Sequence, residues 1–182
     1  MYKYKIMFTF PKNNLFSICY SSRENVQLEN FDKNFMEDGT DIQWEDTVEF
    51  TSPIKGGRVI KVYDADTITI ASKLPYSDSP LYRLSVRLNG IDTPEIKGKD
   101  ITDEEKEAAK MARGFVSNLV LNKFVRLENV ATEKYGRILA DVYIGDIHLN
   151  HLLIKERYAV LYDGGTKKKP TSWLKYKITG EL

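Results

Sequence analysis

The sequence predicts a β-rich α+β fold, a small closed sheet with helices packed on it, preceded by an extension of different character. Three observations lead there. From Arg58 onward, successive stretches alternate apolar and polar residues at period two, the pattern of half-buried strands. One long stretch among them has helical periodicity and opens with a capping signal. The order of strands, helix, strands and short helix lacks the regular alternation of a doubly wound parallel sheet.

Taken in chain order, residues 1–10 can form one strand, and Ser21–Thr51 is polar and acidic with no clean period, which reads as loop or loosely packed extension. The predicted division is therefore an N-terminal extension over 1–52 and a folded domain over 53–182. Arg58–Ser72 is rich in Val, Ile and Thr and reads as a strand pair interrupted at Asp64–Ala65–Asp66. A turn at residues 77–80 leads to Leu81–Ile91, where Tyr82, Leu84, Val86 and Leu88 face one way and Arg83, Ser85 and Arg87 the other. Thr102 opens a helix with a Thr-x-x-Glu capping box, acidic residues in the first turn and a stripe of Ala108, Ala112, Phe115 and Leu119. Lys123–Val130 is a further strand. Tyr135–Gly136 marks a turn, after which Ile138, Ala140, Val142 and Ile144 alternate. Gly145–Asp146 signals a hairpin, and Leu149–Tyr158 a short helix.

Composition narrows the class. The 182 residues carry 27 Lys plus Arg against 26 Asp plus Glu, and 42% are hydrophobic, which suits one globular domain with an appendage. The single cysteine, Cys19, excludes an internal disulfide framework, and no Cys/His cluster suggests zinc. Apolar runs fall far short of the roughly 18 residues of a membrane span. The break at Pro11–Asn14 comes too early for a signal peptide, so an intracellular location is expected, with secretion left open. A monomer is expected. The near-zero net charge hides an asymmetry: residues 1–52 carry five basic and nine acidic side chains, residues 53–182 carry 22 and 17. The second part can face a polyanion, and the acidic stretch 24–49 could cover that face.

Chemistry-bearing residues concentrate in three segments: Asp64–Ala65–Asp66–Thr67, Arg87 with Asp92–Thr93–Pro94–Glu95, and Glu133–Lys134–Tyr135–Gly136–Arg137. Each alone is ordinary turn chemistry, since Asp caps its own backbone and Pro ends a ladder. As an ordered set they resemble the staphylococcal nuclease (thermonuclease) family. The resemblance covers residues 58–162. It rests on V-x-D-x-D-T at Val62–Thr67, R-L-x-x-I-D-T-P-E at Arg87–Glu95, K-Y-G-R-x-L-A at Lys134–Ala140 and L-N-x-x-L-I at Leu149–Ile154. It implies a five-stranded OB-fold barrel with two to three packed helices.

By position, the resemblance implies that Asp66, Asp92 and the carbonyl of Thr93 bind Ca2+, with Asp64 behind them; a hard cation takes such oxygens and leaves room for phosphate. It implies that Glu95 activates or positions the attacking water, and that Arg87 and Arg137 fork onto the scissile phosphate. Lys134 would contact phosphate, while Tyr135 and Tyr162 would offer aromatic faces to a base. The implied activity is calcium-dependent hydrolysis of DNA or RNA with low sequence specificity, giving 3′-phosphate ends. The competing reading is a non-catalytic OB module that binds nucleic acid or protein. Two departures stand out. Ala65 occupies a turn position where the family mostly has Gly, and would be strained if φ were positive there. The chain after Tyr162 lacks a long charged final helix; Lys167–Lys169 reads as a solvated run, and Trp173 as an anchor for a shorter segment.

Overall fold

The computed structural model describes residues 41–133 and 135–182. The expected first strand, Cys19 and most of the acidic extension lie outside the described residues, as does Lys134. The chain divides into two units, 1–48 and 49–182. Within the described part of the first, Trp44–Asp46 forms one 3-10 turn, closed by the Gln43 N–H donating to the Asp46 carboxylate at 2.9 Å.

The second unit contains β1 (Gly56–Asp64), β2 (Thr67–Ser72), β3 (Tyr82–Leu88), β4 (Ile91–Asp92), α1 (Asp103–Val120), β5 (Phe124–Thr132), β6 (Ile138–Ile144), β7 (Ile147–His148), α2 (Leu149–Lys155), β8 (Val160–Leu161) and α3 (Trp173–Thr179). β1, β2 and β3 form an antiparallel meander, β5 pairs with both β1 and β6, and β6 closes the circuit by pairing parallel to β3. The result is a closed five-stranded mixed barrel with three helices, an OB fold. Closure leaves these strands without a long unpaired edge.

The period-two pattern does what it predicts. Val59, Ile68, Ile70, Val86, Leu88, Val125 and Val142 are wholly buried inside the barrel, while Arg83 and Ser85 face outward. Gly56 stands where β1 meets β5 so closely that a Cβ would lie 2.3 Å from the Val125 carbonyl oxygen. Only glycine permits that approach. α1 closes over the barrel through Ala112, Val116 and Val120, with Phe115 and Leu119 half-buried on its flank and Ala108 buried in a separate cluster with Val160, Trp173 and Tyr176. The buried seam thus runs through Val116 and Val120, one residue beyond the predicted Phe115 and Leu119. Each valine contributes about 1.5–3 kcal/mol by leaving water.

Only half of the predicted capping box forms. Thr102 Oγ1 accepts from the Glu105 N–H at 3.1 Å, but the Glu105 carboxylate turns away to accept from the backbone N–H of Glu95 at 3.2 Å. A residue expected to serve its own helix instead ties that helix to the loop after β4.

α2 ends at Lys155, short of the predicted Tyr158, because Arg157 adopts φ 56°. Its start is capped by His148, whose Nδ1 accepts from the His151 N–H at 3.2 Å, with the two imidazoles stacked at 3.9 Å. An accepting Nδ1 is unprotonated. Burial, and then the neighbouring His151, hold the His148 pKa below its ordinary value of 6.5. The unfolded chain therefore binds the proton more tightly, and stability falls as pH drops through the unfolded value. Thermal midpoints between about pH 7.5 and about pH 5.5 are expected to fall further for the native protein than for His148→Asn, which keeps a capping acceptor but cannot titrate. Parallel curves would show that this imidazole is not a source of the acid sensitivity.

Candidate active site

The turn between β1 and β2 carries Asp64 and Asp66. Pairing irregularities in β1 at Val59/Lys61 and Val62/Asp64 re-aim the strand as it enters that turn. Ala65 is buried and is not among the residues with positive φ, so its side chain is accommodated without strain. Thr67 on β2 pairs across the ladder with Arg87 on β3, which brings the guanidinium beside Asp66. Arg87 Nη1 donates to Asp66 Oδ2 at 2.7 Å, and the Thr67 hydroxyl donates to Oδ1 at 2.9 Å. Burial pushes the Asp66 carboxyl above the ordinary carboxylate range, against the pull of Arg87 and Thr67. Burial, Asp66 and Glu95 likewise raise Asp64, which Arg113 and Arg87 partly counter.

Two-residue strand β4 presents Asp92 at its end and is fixed by pairing with β8, Asp92 opposite Val160. Asp92 is 1% exposed, and no hydroxyl or backbone N–H donates to its carboxylate oxygens. Its neighbours are cations in ion-pair contact: Lys167 Nζ at 2.8 Å and Arg87 Nη2 at 3.6 Å from Oδ1. A buried carboxylate that no neutral group solvates is costly, and a positively charged partner is what it requires. Thr93, next in the chain, is also buried.

Lys167 also donates to Glu95 Oε1 at 2.6 Å, bridging the two acids. Burial opposes its charge, but its bonds to Asp92 and Glu95 prevail and raise its pKa. Lys169 pairs with Glu105 at 2.9 Å, beneath the same loop. The run expected to be solvated is therefore partly built into the site. The segment is held by α3, where the Ser172 hydroxyl and the Leu174 N–H both donate to Glu104, and where Trp173 is buried with Ala108, Val160 and Tyr176.

Arg137 is held by Glu133, which accepts from Nε at 2.5 Å and from Nη2 at 2.8 Å, a two-point grip that fixes the plane of the guanidinium. The Tyr162 N–H donates to the Gly90 carbonyl at 3.0 Å and its hydroxyl to the Gly165 carbonyl at 3.2 Å. Tyr135 is 73% exposed.

One cleft of about 290 Å³ collects these groups: Asp64, Asp66, Arg87, Thr93, Glu95, Tyr135, Arg137 and Tyr162 all line it, joined by Thr67, Pro94, Glu133 and Lys167. Asp92 does not line it but is in ion-pair contact with two residues that do, Arg87 and Lys167. Of the candidate site residues named from the sequence, Lys134 alone lies outside the described residues. Sequence reasoning named Lys167, Glu133 and Glu105 but gave none of them a role in the site. Glu133 had a signal, lying four residues before Arg137 in one charged segment; Lys167 had none beyond its charge. Among the described residues no three His, Cys, Asp or Glu side chains cluster closely enough to hold a metal by themselves. The donor set fitting a hard cation is two carboxylates, Asp66 and Asp92, with a backbone carbonyl and water making up the remainder. Asp92, buried and answered by cations, suits that set.

Barrel and cleft together define a class: an OB-fold protein with two arginines and two buried carboxylates at one rim. The family model described as staphylococcal nuclease homologue matches residues 85–177, and the chain belongs to that family. It is 33% identical to a thermonuclease of Staphylococcus intermedius over 135 residues, covering 73% of this chain and 69% of that protein. An uncharacterized endonuclease of Haemophilus influenzae is 33% identical over 58% of this chain and 51% of its own length. Another from Escherichia coli is 28% identical over 59% and 61%. The chain spans about half the length of several curated relatives it matches.

Proposed function

We propose that this protein is a calcium-dependent nuclease that hydrolyses DNA or RNA with little sequence preference and leaves 3′-phosphate ends. The observation that carries the reading is the convergence of Arg87 and Arg137 on one cleft with Asp66 and Glu95, with Asp92 buried directly behind Arg87. Asp66, Asp92 and the Thr93 carbonyl would hold the cation, which supplies positive charge next to the phosphate when bound. Arg87 and Arg137 bind the equatorial oxygens of the scissile phosphate, where negative charge grows as water adds and the 5′ P–O bond breaks. Their guanidinium planes are set beforehand by Asp66 and Glu133. Glu95, about two-fifths exposed at the cleft edge, takes the proton of the attacking water or orients it. Tyr135 and Tyr162 offer faces on which any base can stack, in keeping with low sequence preference.

The test is release of acid-soluble nucleotides from heat-denatured DNA with millimolar calcium, with a chelator, and with magnesium alone. Release is expected with calcium and is expected to collapse in chelator. A folded protein that releases nothing under any metal would overturn the reading in favour of a binding module.

Lys167 offers a second check. Calcium entering beside Asp92 must displace the ammonium from that carboxylate, so Lys167→Ala is expected to bind calcium about fivefold tighter by titration calorimetry, the equivalent of about 1 kcal/mol. Unchanged or weaker binding would show that the lysine does not compete with the ion.

A further inference from the structure

A second groove, of about 350 Å³, adjoins the cleft and shares with it only Asp64 and Glu95. Three elements supply its remaining charge: Lys61 from β1, Lys97 from the loop after β4, and Arg113 from α1. All three are exposed, and among the described residues none forms an ion pair or a side-chain hydrogen bond. Lysines beside the cleft behave differently: Lys167 and Lys169 are both neutralised by carboxylates. Tyr63 lines the same groove with half of its surface exposed, and Lys61 Nζ lies 5.6 Å from its ring centre. Unpaired cations converging from separate elements around an exposed aromatic ring are what a single strand recognises, phosphates by charge and a base by stacking.

We infer that this groove is a binding site for single-stranded polynucleotide. It receives the part of the strand on the far side of the scissile phosphate from Tyr135 and Tyr162. The inference rests on the nuclease reading for the direction of the strand, but the groove binds whether or not the cleft cuts. Phosphates sit on Lys61, Lys97 and Arg113, and Tyr63 takes a base. Asp64 and Glu95 form the ridge between the two grooves, at the place where the scissile phosphate and its cation meet. Nucleotides beyond that ridge thereby add affinity without touching the reacting atoms, so long strands bind better than short ones.

The experiment compares the native chain with a Lys61→Ala, Lys97→Ala, Arg113→Ala triple variant, using fluorescence anisotropy of labelled oligothymidylate in chelator over a range of salt. A dodecamer and a dinucleotide are titrated in parallel. Loss of three phosphate contacts is expected to reduce the slope of log affinity against log salt by about 2 for the dodecamer, at about 0.7 per contact, and to leave the dinucleotide unaffected. A second triple variant, Lys73→Ala, Arg83→Ala, Lys123→Ala, removes the same charge from exposed positions outside the groove and is expected to keep the native slope. An unchanged slope in the folded groove variant overturns the inference, as does an equal loss in the control variant or absence of dodecamer binding by the native chain. Calcium-dependent release of nucleotides is measured on the same preparations. Binding with the predicted slopes but no release overturns the nuclease reading alone, and release with unchanged slopes overturns the groove alone.

Discussion

Arg87→Ala is expected to lower the rate of nucleotide release by a factor on the order of 10²–10³, the usual consequence of removing one fixed donor from a developing anion. The loss should fall on turnover more than on substrate affinity, because the contact strengthens as charge accumulates on the phosphate. Arg87→Lys is expected to rescue little. An ammonium cannot make the paired contacts of the guanidinium, which here reaches Asp66 at 2.7 Å, Asp92 at 3.6 Å and the Ile91 carbonyl at 3.4 Å. Steady-state kinetics on denatured DNA with calcium, beside thermal midpoints of both variants, separates a chemical defect from unfolding. A folded Arg87→Ala that retains near-native turnover would remove this residue from the reaction.

Asn150→Ala is expected to cost about 2–4 kcal/mol of stability, which lowers the thermal midpoint by about 5–15 °C. Asn150 is 2% exposed at the start of α2. Its Oδ1 accepts from the Val142 N–H at 3.0 Å, and its Nδ2 donates to the carbonyls of Asn89 at 2.8 Å and Ala140 at 3.3 Å. One side chain thus joins β6, the turn between β3 and β4, and α2. Alanine would strand the Val142 N–H and the Asn89 carbonyl, whereas the Ala140 carbonyl keeps the Asn89 N–H at 2.9 Å. Urea unfolding of the variant measures the cost. A change below about 0.5 kcal/mol would mean that water or a relaxed backbone replaces the amide.

Much of the barrel was legible because a strand's faces are written at period two, and the inward and outward sides of residues 82–88 could be read directly. The ends of elements were less so. α2 stops at Lys155 because Arg157 takes a left-handed conformation that no neighbouring glycine announces. In the site, the local motifs around Asp66, Arg87 and Asp92 were visible because their spacing is carried by adjacent strands and turns. Lys167 was not, since its partners Asp92 and Glu95 lie far back in the chain, and a run of three lysines ordinarily means solvent. Glu105 was misread for the opposite reason: the capping pattern was sound locally, but Lys169 and the Glu95 N–H offered its carboxylate better partners.

β4 is only two residues long, and the strand that fixes Asp92 is β8, formed near the other end of the sequence. Lys167, Lys169 and Ser172, which reach Asp92, Glu95, Glu105 and Glu104, come later still. A chain emerging from the ribosome would make both arginines and every acid of the cleft before it makes the residues that hold two of those acids in place. The acids and arginines of the cleft are therefore synthesised before the segment that fixes Asp92 and Glu95, and the cleft is assembled only once residues 160–172 have folded against them.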